Sequence, residues 1–466
     1  MNHSKQSKTS RREFLGQMSC AAVGSTALYS TLMNLMMTSR ASAQSTLPGP
    51  NDHRALVCVF LGGGNDSYNM IVPQEEAEFT AYQSSRSELA LQSETLLPIT
   101  DPSSGKAYAF HESLPNIRDL YNSNDLGVVA NVGTLVEPMT KEDYEQDRVA
   151  VPLGLFSHSD QQMHWQTSIS DKRSAIGWSG RAADILQSLN EASDVSMNIS
   201  LGGMNILQSG NSVVPYAITS RGVRSLDGYN QDWRPFIRTA VDSMLDQEYD
   251  SMIRRSFAGM TRRAIDAEAF FTNALEEQGD FAAAFGEDRF SREMEMVAKC
   301  IAANSPLGMR RQTFFVEFGG WDHHDELLNN QSEMLAMLDT GLKAFWDALR
   351  EVNLQNNVTV FTASDFARTL SSNGDGTDHA WGGHQLVMGG QVQGGRFYGA
   401  YPDDLSLNGA YDIDRGRFVP TTSVDEYFGD LVKWMGVSNT DLPTILPNLD
   451  RFYNIGSSND PIGLFG

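Results

Sequence analysis

The stretch GWDHHDELL, Gly320–Leu328, sets an aspartate, two histidines, a second aspartate and a glutamate side by side. Asp322 and His324, two residues apart, can meet one divalent ion, because carboxylate oxygen and imidazole nitrogen are both ligands for zinc-type metals. His323 points to another side and reads as a packing or surface histidine. Asp325 and Glu326 read as the opening of the next helix, where the helix dipole favours negative charge. A second stretch, FTASDFARTL, carries Asp365 and then Arg368, and a third, TDHAWGGHQLVMGG, carries Asp378, His379 and His384. Asp66 closes a fourth, FLGGGND; no lysine follows as in a phosphate-binding loop, and the dinucleotide-binding glycine spacing is absent. Its glycines let the backbone turn tightly enough to aim Asp66 into a cleft. Of nine histidines in the chain, four lie in the two C-terminal clusters, each beside an aspartate that ends an apolar run. That sorting favours metal ligation over a purely hydrogen-bonded polar pocket. A carboxylate–imidazole set suits zinc first, with manganese, iron or calcium also compatible.

The elements that position these residues are legible in the apolar runs. RALVCVFLGGGND (Arg54–Asp66), LGVVANVG (Leu126–Gly133), QTFFVEFGGWD (Gln312–Asp322) and NVTVFTASDF (Asn357–Phe366) are near-continuous apolar strands ending in glycine or acid. Such strands belong to a sheet covered on both faces. Leu327–Val352 keeps apolar residues at helical spacing, and Phe236–Ile301 reads as two or more helices broken near EEQGD and FGED. The alternation predicts an α/β fold: a doubly wound, mostly parallel central sheet with helices on both faces. Ligands bind such sheets beyond the carboxyl ends of the strands, where Asp66, Asp322, His324 and Asp365 all fall.

The N-terminus reads as a targeting segment. Paired arginines in SRREFL, a modestly apolar stretch and ASA at Ala41–Ala43 predict a twin-arginine signal over residues 1–43, handled by the twin-arginine export machinery. That route carries folded proteins, often with a cofactor inserted. Residues 44–54 then form a flexible leader, and 55–466 a single domain with a helical insertion around 231–303. The formal charge is −23; the signal carries a net +4, so the remaining 423 residues carry −27. That acidity argues against nucleic acid and anionic membranes as partners, since both need cationic faces. No later apolar run reaches the length of a membrane span. Cys58, inside an apolar strand, reads as a buried free thiol.

Taken in order, GGGND, GGWDHH, SDFART, GTDHAWGGH…VMGG and GGRFYG resemble an exported bacterial family, domain of unknown function 1501. That family is similar to a branch of the alkaline phosphatase and sulfatase superfamily. The resemblance spans about Ala55 to Asn454 and implies an alkaline-phosphatase-like sheet and two divalent metals. It implies Asp66 as the first-strand ligand, Asp322 with His324 as a pair, Asp365 as the next acid, and His379 or His384 as the late histidine. Phe366 stands where a second metal-binding histidine is usual, so Asp378–His379 takes that role or one metal position is weakened. For the nucleophile it points to Ser157 in GLFSHSDQQMHWQTS, where the related pattern reads Arg-Ser-His-Phe. Ser157 is equally well an ordinary helix N-cap. Arg368 either holds an anionic oxygen with its planar fork or pairs with a nearby carboxylate. The expectation is a periplasmic or secreted metal-dependent hydrolase of small phosphate or sulfate esters, using a serine or water nucleophile. The competing expectation is a non-catalytic member that binds a partner or serves assembly at the cell envelope.

Overall fold

The computed structural model describes residues 52–465 apart from 191–194, 224–228, 230–234 and 248–251. The signal segment and most of the leader lie outside the described residues, as does part of the stretch expected as a helical insertion. Around that insertion, helices run at Pro235–Leu245 and Met252–Glu276, and the break expected near EEQGD follows the second.

The strands are β1 (Arg54–Leu61), β2 (Ile71–Pro73), β3 (Leu97–Thr100), β4 (Ala107–Phe110), β5 (Leu126–Gly133), β6 (Asn198–Ser200), β7 (Tyr216–Ala217), β8 (Arg311–Glu317), β9 (Val358–Ser364), β10 (Gly383–Gly389), β11 (Phe397–Tyr398) and β12 (Thr422–Ser423). Nine of them form the central sheet, in the order β11-β5-β10-β9-β1-β8-β6-β7 with β12 beside β5. Strands β2, β4 and β3 form a small antiparallel sheet of their own. Among the described residues of the large sheet, only β10 runs antiparallel, against both β5 and β9. The mostly parallel sheet read from the apolar runs is therefore present, with one reversed strand inside it.

The alternation of side chains along β1 shows why both faces are covered. Val57, Val59 and Leu61 pack on one face with helices α2 (Arg289–Ala302) and α3 (Leu327–Glu351), to which Val297 and Leu338 contribute. Leu56, Cys58 and Phe60 pack on the other face with Trp178 and with Phe428 of helix α4 (Val424–Trp434). A strand buried on both sides has no polar face to alternate, hence the unbroken apolar run. Cys58 is buried and free, as its setting implied.

Register then fixes the edge. Phe60 pairs with Glu317 on one side and Ala363 on the other, so β1, β8 and β9 end level with one another. Their outgoing loops emerge side by side. Strand β10 runs the other way, so its incoming loop, with Asp378 and His379, reaches the same edge. Helix α1 (His158–Thr167) follows β5 in the chain and starts at the neighbouring position.

One buried acid in α4 makes stability depend on pH. Asp425 accepts a hydrogen bond from Ser168 Oγ at 2.7 Å, while its Oδ2 has no partner, and burial pushes its pKa up to about 7. A folded-state pKa above the unfolded one favours the protonated form. That stability is full below about pH 4 and is lost as pH rises through about 7. Asp430, pushed up to about 6 by burial, acts in the same direction. Denaturation at a series of pH values should show the wild type losing stability relative to Asp425→Asn across this window, by at most roughly 4 kcal/mol, whatever slope buried histidines such as His384 add to both. The same slope in wild type and Asp425→Asn would contradict the assignment.

Candidate metal centre

Asp322 sits at the centre of the strand-end edge. The backbone carrying it is pinned to the loop after β1: Gly62 O accepts from Gly320 N at 3.0 Å and from Trp321 N at 3.1 Å. Gly63, at φ +117°, lies so close that a Cβ there would stand 2.5 Å from the Asp322 amide nitrogen. Only glycine permits that approach.

Three imidazoles face the Asp322 carboxylate. His158 Nε2 lies 3.3 Å from Oδ2, and His324 Nε2 and His379 Nε2 lie 3.0 Å and 3.4 Å from Oδ1. Each ring is held from behind at Nδ1. For His158 the holder is Asp365 at 2.6 Å, for His379 the Phe156 carbonyl at 2.8 Å, and for His324 Asp378 at 3.3 Å. Asp365 and the Phe156 carbonyl only accept hydrogen bonds, so Nδ1 of His158 and of His379 carries a hydrogen, and in the neutral ring the lone pair sits on Nε2. Histidines that ligate metals are arranged in this way, with a carboxylate or carbonyl fixing tautomer and orientation.

The residues present fit a divalent cation on two observations. One ligand atom each from His158, Asp322 and His379 lies within 4.8 Å of the other two. His379 Nε2 is also buried without any hydrogen-bond partner. Three protein groups of these types match the number of protein ligands that catalytic zinc sites use.

Electrostatics separate the groups. The hydrogen bond that His158 donates to Asp365 raises the pKa of His158. His379 is lowered, chiefly by burial. For Asp322 burial pulls upward, but the hydrogen bond and charge of Arg368, with His324 and His158, outweigh it and lower the value. Asp365 is fully buried and also accepts from Gly63 N at 3.1 Å and Gln162 Nε2 at 2.9 Å. Phe366 stacks on His379, with ring centroids 4.5 Å apart, and lies 4.8 Å from His158.

Asp322, His324, Asp365, Asp378 and His379 thus come together as the sequence suggested, with Asp365 and Asp378 behind histidines rather than in front. Two expected ligands are elsewhere. Asp66 lies past the glycines where the chain turns back inward; its carboxylate pairs with Arg86, and both side chains are fully buried. His384 is inside β10, accepting from Asn131 N at 3.1 Å and stacked 4.4 Å from Tyr401; burial lowers its pKa to about 3. Arg368 is not free to receive an anion. It is buried, bonds Asp322 at 2.5 Å through Nη1, and gives Nε and Nη2 to Thr377. Ser157 occupies the N-cap of α1 without a side-chain cap bond, its Oγ 3.2 Å from Ser159 Oγ. Glu326 is the N-cap of α3, so Asp325 and Glu326 precede that helix instead of forming its first turn. His323 is buried, as a packing histidine would be.

Sequence reasoning passed over His158. The signal was present, since the histidine beside Ser157 belongs to the same Arg-Ser-His-Phe pattern.

The family follows from the sequence match. This chain belongs to the family described as protein of unknown function (DUF1501), whose model matches residues 53–411. No curated protein matches it in sequence. Among solved structures, this DUF1501 protein is similar to the lipoteichoic acid synthase LtaP from Listeria monocytogenes, at 8% identity over 94% of this chain and 80% of that one, with a TM-score of 0.30. It is also similar to the C-terminal periplasmic domain of EcEptC from Escherichia coli in complex with Zn, at 11% identity over 73% of each chain and a TM-score of 0.30. A third is TAB5 alkaline phosphatase mutant His 135 Asp with Mg bound in the M3 site, at 10% identity over 72% of this chain and 90% of that one, TM-score 0.23. Likenesses at these scores carry no functional weight, so the chemistry rests on the side chains above.

The reassignment of Asp66 is testable. Arg86→Met strands a buried charge and is expected to cost about 3–5 kcal/mol in chemical denaturation. The double variant Asp66→Asn/Arg86→Met should recover much of that and keep whatever metal the wild type holds. Loss of metal from the folded double variant would return Asp66 to the ligand set.

Proposed function

We propose that this DUF1501 protein is an exported metal-dependent hydrolase of phosphate or sulfate esters, working in the periplasm or outside the cell. The observation that carries the reading is the convergence of three Nδ1-held imidazoles on the Asp322 carboxylate. His158, His379 and Asp322 would hold the ion, with His324 beside them. A divalent ion there supplies Lewis-acid polarisation of an ester oxygen. Its N/O ligand set favours zinc.

The chain's own groups do the rest. Asp365, Asp378 and the Phe156 carbonyl keep the imidazoles aimed, so the site needs little reorganisation on binding. Arg368 holds Asp322 in place and lowers the charge of the acidic cluster. Ser157, at the N-terminus of α1 and adjacent to His158, is the proposed nucleophile, its oxygen bonding to phosphorus or sulfur as the ester oxygen leaves; a water molecule is the alternative.

A second reading has its own support. With the Asp66 carboxylate on Arg86 and Phe366 against His379, the described residues gather a single set of metal-competent groups. A one-metal member that binds a partner at the cell envelope, without turnover, suits that economy of ligands.

Elemental mass spectrometry on exported protein purified without chelator decides the first step. About one transition-metal ion per chain is expected, lost in Asp322→Ala and in His158→Ala while both stay folded. Asp365→Asn is expected to weaken retention by about 10–100-fold, as for other groups that orient a ligating histidine. Turnover of chromogenic phosphate or sulfate esters by the metal-loaded protein supports the hydrolase; bound metal with no turnover of either supports the binding protein; no metal in the wild type sinks both metal readings.

A further inference from the structure

We propose that Arg415 is the specificity-determining residue that receives the anionic oxygens of the substrate's phosphate or sulfate group. The inference rests on the ester-hydrolase reading and adds a residue to it. Arg368, Arg417 and Arg415 stand around the centre, and the first two are each held by several protein groups. Arg368 is buried and bound to Asp322, Gly63 O and Thr377. Arg417 lies over the Phe156 ring at 4.6 Å, donates Nε to His379 O at 2.9 Å and pairs with Asp414 at 3.3 Å. Arg415 differs. Its side chain is 39% exposed, and it touches the site through Nη2, 2.6 Å from Asp378 Oδ2. A guanidinium presents five N–H donors in a planar fork matched to tetrahedral oxyanions, so one ion pair leaves an open edge toward solvent.

The backbone marks the same residue. Arg415 sits at φ +59°, a left-handed conformation that costs a non-glycine residue energy and is kept where surroundings enforce it. The enforcing group is Asp412. Its Oδ1 accepts from Asp414 N at 2.9 Å, Gly416 N at 2.7 Å and Arg417 N at 3.1 Å, and its Oδ2 accepts from Asn408 N at 2.7 Å. The Arg415 carbonyl in turn holds Ser371, accepting from its N at 3.2 Å and its Oγ at 2.9 Å. A loop fastened at both ends presents its arginine already oriented, which lowers the entropy lost on binding an anion.

Contacts also link this loop to the centre. Arg415 meets Asp378 at 2.6 Å, Asp378 meets His324 at 3.3 Å, and His324 meets Asp322 at 3.0 Å. An oxyanion that takes the open edge of Arg415 leaves Asp378 its contacts with His324 and with Asn373 Nδ2 at 3.3 Å.

Isothermal titration with inorganic phosphate and with sulfate tests it, on zinc-loaded and on chelator-stripped protein carrying the full exported chain. Arg415→Gln is expected to weaken the better-bound oxyanion at least about tenfold, with zinc content and melting temperature unchanged. Arg415→Lys should fall between, because it keeps the charge and loses the fork. It also serves as the folded variant should the glutamine lower stability. Equal affinity in wild type and folded Arg415 variants, or no binding of either oxyanion by the wild type, overturns the proposal. Failure of zinc to bind, with an Arg415-dependent oxyanion affinity retained in stripped protein, would count against the metal reading alone.

Discussion

Level strand ends are the constraint on which the rest depends. Backbone hydrogen bonds set β1 between β8 and β9 so that Phe60, Glu317 and Ala363 lie abreast. A slip of one residue would exchange the two faces of β1, driving Leu56 and Cys58 into the layer built for Val57 and Val59. The two-sided core therefore enforces the register, and the register brings the Asp322 and Asp365 loops together. Gly62 and Gly63 complete the alignment by tying the loop after β1 to both.

Such an edge gathers negative charge, and the cost decides how the site is built. Asp322, Asp365 and Asp378 lie within one or two contacts of each other, and two unit charges about 4 Å apart repel by about 4 kcal/mol at the effective dielectric of a protein surface. Each acid has a positive or donating partner: Arg368 for Asp322, Gly63 N and Gln162 for Asp365, Arg415 for Asp378. The buried arginine stabilises the centre from inside, and the half-exposed one faces outward. That division leaves Arg368, the more conspicuous residue in the sequence, bound to Asp322 and Thr377, and leaves Arg415 exposed.

The sheet was readable because strands buried on both faces write themselves as unbroken apolar runs, and four of them matched β1, β5, β8 and β9 closely. The reversed direction of β10 was not, since pairing direction leaves no mark on composition. For the site, sequence adjacency to a strand end was a good guide where the loop is short, as at Asp365, and a poor one where the chain doubles back. Asp66 is separated from β1 by three glycines and an asparagine, and its orientation depends on Arg86, which no local pattern connects to it. His379 and His384 look equivalent in TDHAWGGH, yet β10 begins between them at Gly383, leaving one at the edge and the other among tyrosines. His158 belongs to a helix that reaches the centre only through tertiary packing. The left-handed loop of Arg415 is set by four amide bonds to one aspartate, a pattern that composition does not reveal.

Phe366 draws these strands of argument together. Where the resemblance implies a second metal-binding histidine, this chain places an aromatic ring against His379 and His158. The ring excludes water from one side of both imidazoles. For His379 that burial favours the neutral form, the form able to ligate a cation. For His158 the buried Asp365 opposes it, drawing the ring toward the cation and holding its Nδ1. One ring thus packs against both imidazoles while Asp365 and the Phe156 carbonyl hold their Nδ1 atoms. The arrangement depends on how firmly acceptors behind the rings fix the imidazoles that face Asp322.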